Sequence, residues 1–491
     1  MIIKCIIHWI LAVPARCTIC RQASPSGLQR CILLLWILWA GGLLGCGAVC
    51  LASNETTSEA VKAALDLLKS SDPDMQTVAI TMVKELPGKE VTEALAKELP
   101  NLPAAGQVQL LSALADRGDR AALSAVISST KAKEAFVRVE ALKALGQLGD
   151  ASIVPLLAET AAASKGEEQK AARESLYRLR GSEADKAILA NVPSVSRNVK
   201  IELIRAIGER NITAGVETLL KTTQDPDSRV QQESFKVLKI IADENYLRAL
   251  VQLLVEIENE SVRREAEKTI AAVALKIQDE NRRADVVMIA LPKVVDIQKR
   301  CALFNVLGKI GNDIALAAIR AALKSDNEKE QDTAVRALSD WPNPKPINDL
   351  LEIAKTSKNK VHKILALRGF VRLIGIEENR PADEAIKMYR QAMELSDNVR
   401  EKRLVLSGLA NVKSLAALEM AASYMQDAAL QQEAEVAVLK IAEGIYMDYP
   451  QQTRDVLNKI IATSKNDSVR KQAQEIVKNE GRRMIDEGQN F

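Results

Sequence analysis

Apolar residues recur along this chain at three- and four-residue intervals, inside blocks that themselves recur. In VRVEALKALGQLGD, which begins at Val137, the positions Val137, Ala141, Leu142 and Leu145 fall on one face of an α-helix. Val199, Leu203, Ile204 and Ile207 repeat that face. The related blocks MQTVAITMVKELPG, GQVQLLSALADRGD, EQKAARESLYRLRG, VKIELIRAIGERN and VQQESFKVLKIIAD begin at Met75, Gly106, Glu168, Val199 and Val230. With Val137, these starts share one spacing of 31 residues. Later starts drift to about Val262, Lys299, Glu330, Ala366, Arg400, Leu430 and Val469. The extra residues fall in 274–294, 375–393 and 444–457. A fixed period of this length marks an array of one supersecondary unit.

The pattern predicts two helices per unit. After the first comes a short turn that often carries glycine, then a second amphipathic stretch such as ASIVPLLAETAA or DIALAAIRAALKS. Polar words separate the units: QDPDSRVQQE at 224–233, ENESVRREAE at 258–267 and KNDSVRKQAQ at 465–474. Asp225-Pro226-Asp227-Ser228 supplies an oxygen to cap the next helix, while Pro226 stops the last one. Ser261, Asp397 and Ser468 hold similar places. Arg138, Arg263, Arg400 and Arg470 follow the apolar anchors. Recurrence at one repeat position favours ties to inter-repeat carboxylates or helix-end carbonyls over contacts with a ligand.

A hairpin of this size cannot bury its apolar stripe alone, so the units must stack. The expected fold is all-α: an α-α superhelix, a solenoid of about 13 helical hairpins over residues 53–480. A leader at 1–52 precedes it and a polar tail at 481–491 follows. The period, the VRVEALKALGQLGD form and the Asp-Pro-Asp turns resemble HEAT repeats of the short kind found in bacteria and in phycobilin lyases. RALSDWPNPKPINDLLEIA with HKILALRGFVRLIG resembles repeats of exported bacterial HEAT proteins. Larger relatives of that type carry a sugar-active β-domain or a haem domain, and neither pattern stands in this sequence.

Charge and cysteine change the picture at the N-terminus. Residues 1–52 hold Lys4, Arg16, Arg21 and Arg30 and no acid. Without those four, 63 bases face 64 acids, so the body lacks the basic excess of a nucleic-acid binder. Six of the seven cysteines lie in the first fifty residues and only Cys301 in the body, so no disulfide framework exists there. Three arginines precede an uncharged stretch from Cys31 to Ala52, the order of an export signal. Leu-Leu-Gly-Cys at 43–46 resembles a bacterial lipoprotein box, which implies lipid on Cys46. Cleavage after Ala52 and an uncleaved anchor are the alternatives, and all three place the body outside the cytoplasm. The first thirty residues are odd for a signal, and the expectation is that the true start lies later.

Catalytic and metal chemistry have few residues to draw on. The body has one histidine, His362, and one cysteine, too few for a zinc site. It has no phosphate loop, dinucleotide fingerprint or nucleophile elbow. The expectation is therefore a non-catalytic, cofactor-free scaffold that binds protein at the cell envelope, on a concave face lined by second helices. The alternatives are an accessory module of carbohydrate-degrading machinery and a lyase-like protein that handles a chromophore. Candidate partner contacts are Trp341, in the proline-broken segment DWPNPKPIND, with Tyr389, Arg390 and Tyr424. For Trp341 the favoured role is a buried plug between repeats. Residues 380–450 are the first stretch to test.

Overall fold

The computed structural model describes residues 49–486 except 71 and 378. They hold twenty-six α-helices and no strand, in two compact units that divide after Asn191. Unit 1 contains α1 (Val49–Leu68), α2 (Pro73–Glu85), α3 (Lys89–Glu98), α4 (Ala104–Arg117), α5 (Leu123–Ser129), α6 (Ala135–Leu148), α7 (Val154–Ala163), α8 (Gly166–Arg178) and α9 (Ser182–Asn191). Unit 2 opens with α10 (Arg197–Glu209), α11 (Val216–Thr222), α12 (Ser228–Ile241), α13 (Leu247–Glu256), α14 (Glu260–Ala274), α15 (Asp285–Ala290), α16 (Ile297–Ile310) and α17 (Asp313–Ala322). It continues through α18 (Glu328–Ser339), α19 (Ile347–Thr356), α20 (Lys360–Ile374), α21 (Ala382–Glu394), α22 (Val399–Leu409), α23 (Leu415–Ser423), α24 (Gln431–Ile445), α25 (Pro450–Thr463) and α26 (Asp467–Asp486).

Within each unit the even-numbered helices, the first of each hairpin, pack on one another in sequence order. Most odd-numbered helices pack chiefly on the first helix that follows them, as α7 does on α8 and α19 on α20. From Pro73 to Ser228 the first helices open every 31 residues, as the blocks predict. Val137, Ala141, Leu142 and Leu145 are buried, as are Val199, Leu203, Ile204 and Ile207. Two expectations shift. The start near Ala366 lies six residues late: α20 opens at Lys360, where Asn359 Oδ1 accepts from the amides of Val361 and His362. The caps, too, move at three of the four turns: Asp227 of the Asp-Pro-Asp turn caps as expected, while Asn259, Asn398 and Asn466 cap in place of Ser261, Asp397 and Ser468. Asp227 takes the amide of Arg229, Asn259 those of Ser261 and Val262, Asn398 that of Glu401, and Asn466 that of Ser468. A carboxylate or amide oxygen reaches the first free amides from one residue outside the helix.

Two sets of cations tie the stack. Arg138 and Arg263 donate to carbonyls five and six residues upstream, Lys133 and Ala132, and Glu258 and Ile257. Arg138 also pairs with Glu168 of the next first helix, Nη2 to Oε2 3.0 Å. Arg470 reaches Ser464 O in the same way, while Arg400 stands exposed. The second set clips the free carbonyls at the end of the preceding first helix. Arg117 donates to Val83, Leu86 and Gly88, Lys276 to Ile240 and Ala242, and Arg372 to Ser339 and Trp341. Burial lowers the Lys276 and Arg372 pKa values, opposed by Asp243 and Asp340 respectively.

Close stacking also needs a missing side chain. A Cβ on Gly146 would lie 2.8 Å from Ser175 Oγ, whose hydroxyl donates to Leu142 O at 2.8 Å. Gly311 ends α16 at φ 72°, a left-handed cap that glycine adopts without strain.

Candidate functional site

Carboxylates on the buried stripes build the site. Glu202, Glu267, Glu330, Glu401 and Glu435 are each nearly inaccessible, although burying a charge is costly unless it is paired. Glu202 accepts from Arg205 at 2.9 Å and Glu401 from Arg368 at 3.4 Å. Glu330 accepts from Arg300 at 2.5 Å and from Ser325 at 2.6 Å. Burial raises the Glu330 pKa, but those two hydrogen bonds outweigh it and hold the carboxyl below its ordinary value. Glu435 takes two neutral donors, Ser464 at 2.6 Å and Gln431 at 2.9 Å. Glu267 differs. Asn305 Nδ2 donates to it at 3.0 Å, and Lys309 Nζ stands 3.8 Å away. Burial pushes the Glu267 carboxyl above its ordinary value despite Asn305 and the neighbouring cations.

Glu267 lines a groove of about 970 Å³ in unit 2. The groove crosses α14, α16, α18 and α20 from their first turns to mid-helix, with Glu260, Cys301, Asn305, Asp332 and His362 among its walls. First helices, with the turns before them, therefore line the recess, where second helices were expected. The regular stacking of the even-numbered helices puts successive first turns side by side, and their polar faces form the floor.

His362 is 9% exposed. Its Nε2 lies 3.3 Å from Asp332 Oδ1, but no hydrogen-bonding geometry to any described residue is met. Burial also pushes the Cys301 thiol up, so a reactive thiolate is disfavoured. Among the described residues no three His, Cys, Asp or Glu side chains converge as a metal site requires. None of the described helices is long and apolar enough to cross a membrane.

The expected contact residues separate. Trp341 is 0% exposed, so it plugs the gap beside the prolines and is not a surface contact. Tyr389 is 1% exposed, its ring pressed against Gly408, and burial pushes its hydroxyl up to about 12. It too is corrected to a core residue: its place on α21 faces α22, not solvent. Arg390 is exposed and Tyr424 half-buried. Both lie on the second-helix side, close enough for Arg390 and Glu394 to act on the Tyr424 hydroxyl, whose pKa is raised chiefly by burial. Cys46 lies outside the described residues. The groove residues were missed, although ENESVRREAE carried a signal. Glu267 follows Ala266 on the apolar stripe, where a solvated acid does not belong.

Comparison with known proteins places this geometry. A family model of HEAT repeats matches residues 186–271, and one of the PBS lyase HEAT-like repeat matches residues 137–161. The fold is a HEAT-like stack of helical pairs. Among solved structures, Kap121p bound to Nup53p superposes with a TM-score of 0.51 at 13% identity, covering 95% of this chain and 58% of its own. The chain thus spans little more than half the length of that neighbour. Kap95p, from a complex with RanGDP, gives a TM-score of 0.49 at 12% identity, covering 86% of this chain and 66% of its own. No curated protein sequence matches the chain.

Proposed function

We propose that this chain is a scaffold that binds protein and does no chemistry, with a partner's extended segment lying across the first turns of α14, α16, α18 and α20. The groove of about 970 Å³ across four successive repeats carries the reading. Its walls are polar and side-chain rich, which suits recognition of a polypeptide more than enclosure of a small apolar ligand. Kap121p is crystallised bound to Nup53p, so this kind of repeat stack is one that holds protein. The leader adds a location, the cell envelope, with the body facing outward.

Photo-crosslinking in the native host tests the binding reading. A benzophenone residue replaces exposed Gln298 in the groove, or exposed Glu217 on a second helix away from it. A discrete protein adduct from position 298 and none from 217 is expected. No adduct from 298, or the same smear from both, rejects the groove as the partner site. Fractionation of the same cells checks the location, and recovery with the cytoplasmic pool rejects the envelope.

A further inference from the structure

Five buried glutamates sit on the first helices of unit 2, and the repeat treats them unequally. Three are paired with an arginine and Glu435 has two neutral donors. Glu267 alone among the five has a single neutral hydrogen bond, from Asn305, and it is the one that lines the groove. The cations beside it are already engaged. Arg263 is spent on the carbonyls of Ile257 and Glu258, and Arg264 is paired with Glu260. Lys309 is 3.8 Å away and half exposed. A carboxylate at 4% exposure with so little compensation is costly unless something completes it.

The far wall repeats the theme independently. His362 is buried and lines the same groove, and its Nε2 has only Asp332 Oδ1 at 3.3 Å, a contact short of hydrogen-bonding geometry. Weakly partnered polar groups on two walls of one recess point to an occupant that adds to their partners. Four helices packed 8–10 Å apart span about 30 Å, roughly nine residues of extended chain. We propose that the groove receives an extended polypeptide segment whose arginine or lysine side chain enters beside Asn305 and pairs with the Glu267 carboxylate. This rests on the protein-binding reading above and names the chemistry that reading leaves open. The raised Glu267 pKa agrees: a bound cation would return the carboxylate to its ordinary range.

The test uses the full chain and a positional-scanning library of nonapeptides, followed by fluorescence anisotropy on the selected peptide. Enrichment of Arg or Lys at one position is expected. Exchange of that residue for citrulline or norleucine should weaken binding at least ten-fold. Glu267→Gln, which keeps an oxygen for Asn305, should weaken the basic peptide to the same degree and leave the citrulline peptide unchanged. Thermal melting confirms that the variant is folded, and Glu258→Gln serves as an exposed-acid control that should lose far less. Selection of peptides without a basic residue, or equal binding by Glu267→Gln, overturns the pairing, and so does a library that yields no binder. If Gln298 still crosslinks a partner in those cases, the scaffold reading survives and only the Glu267 pairing falls.

Discussion

Two acids show how one residue type does opposite work in this fold. Asp227 caps α12 and meets both Arg229 and Arg197. Desolvation opposes its ionisation, but those donors win and bring its pKa from 3.8 to about 2. A depressed carboxylate stabilises the fold above its unfolded pKa, and that contribution is lost as pH falls from about 4 to about 2. Asn is as good a cap as Asp, so Asp227→Asn removes the charge and keeps the cap. Its thermal midpoint should lie below the native one at pH 7, and the gap should close between pH 4 and pH 2. Glu267 has the reverse sign. Its folded pKa is raised from 4.5, so its favourable share is present below that value and is lost as pH rises above it. Glu267→Gln should match the native midpoint at pH 4 and gain on it steadily toward pH 7. A difference curve that is flat for either variant would show that the neighbours assigned to that acid do not set its ionisation.

At the scale of one helix, the stack is held where helices end and where they touch. Arg372 closes α20 by donating to Ser339 O at 2.8 Å and Trp341 O at 2.7 Å, the free carbonyls below α18. Methionine keeps the stem and removes the donors, leaving partly buried carbonyls short of partners. Arg372→Met should cost about 1–3 kcal/mol in urea unfolding, whereas Arg400→Met, on an exposed arginine, should cost less than about 0.5 kcal/mol. Gly146→Ala would gain about 1 kcal/mol from helix propensity alone. The new Cβ would stand 2.8–2.9 Å from Ser175, so a net loss of about 1–3 kcal/mol is expected, read from the same unfolding curves. These contacts explain what was legible and what was not. The period was legible because each first helix carries its own stripe and its own Asx cap, both written within fifteen residues or so. The carbonyl clips were half legible. Arg138 and Arg263 recur beside their anchors, but Arg117, Lys276 and Arg372 act across a repeat boundary and leave no local mark. Tyr389 resembled a surface anchor because a long insertion looks exposed in one dimension, whereas the plug role of Trp341 was readable from the prolines beside it. Packing fills such gaps with the largest side chain at hand. The groove was the least legible, since its walls come from four repeats and no single word of the sequence contains it.

Across the whole molecule, a repeat stack makes stability a sum over neighbours, not a property of one shared core. The 31-residue spacing of the first helices gives this a sharp consequence in unit 1. Removing residues 135–165 deletes α6 and α7 together and joins Glu134 to Gly166, so α8 takes the place of α6 against α4. Each first helix still meets another first helix, and each hairpin still has both members. Removing 135–150 deletes α6 alone. It leaves α7 packed on α8 but strips α5 of the first helix it packs on, uncovering the buried Val126, and leaves no first helix between α4 and α8. The longer deletion should therefore be the milder one. It is expected to retain helical circular dichroism in proportion to its remaining residues and to unfold cooperatively. The shorter deletion should lose more ellipticity than its sixteen residues account for and should bind a hydrophobic dye. Both leave the groove of unit 2 intact in sequence, so crosslinking from Gln298 should persist in the 31-residue deletion. If the two deletions are equally damaging, the helices of unit 1 depend on contacts beyond their sequence neighbours, and the hairpin is not the unit in which this fold is built.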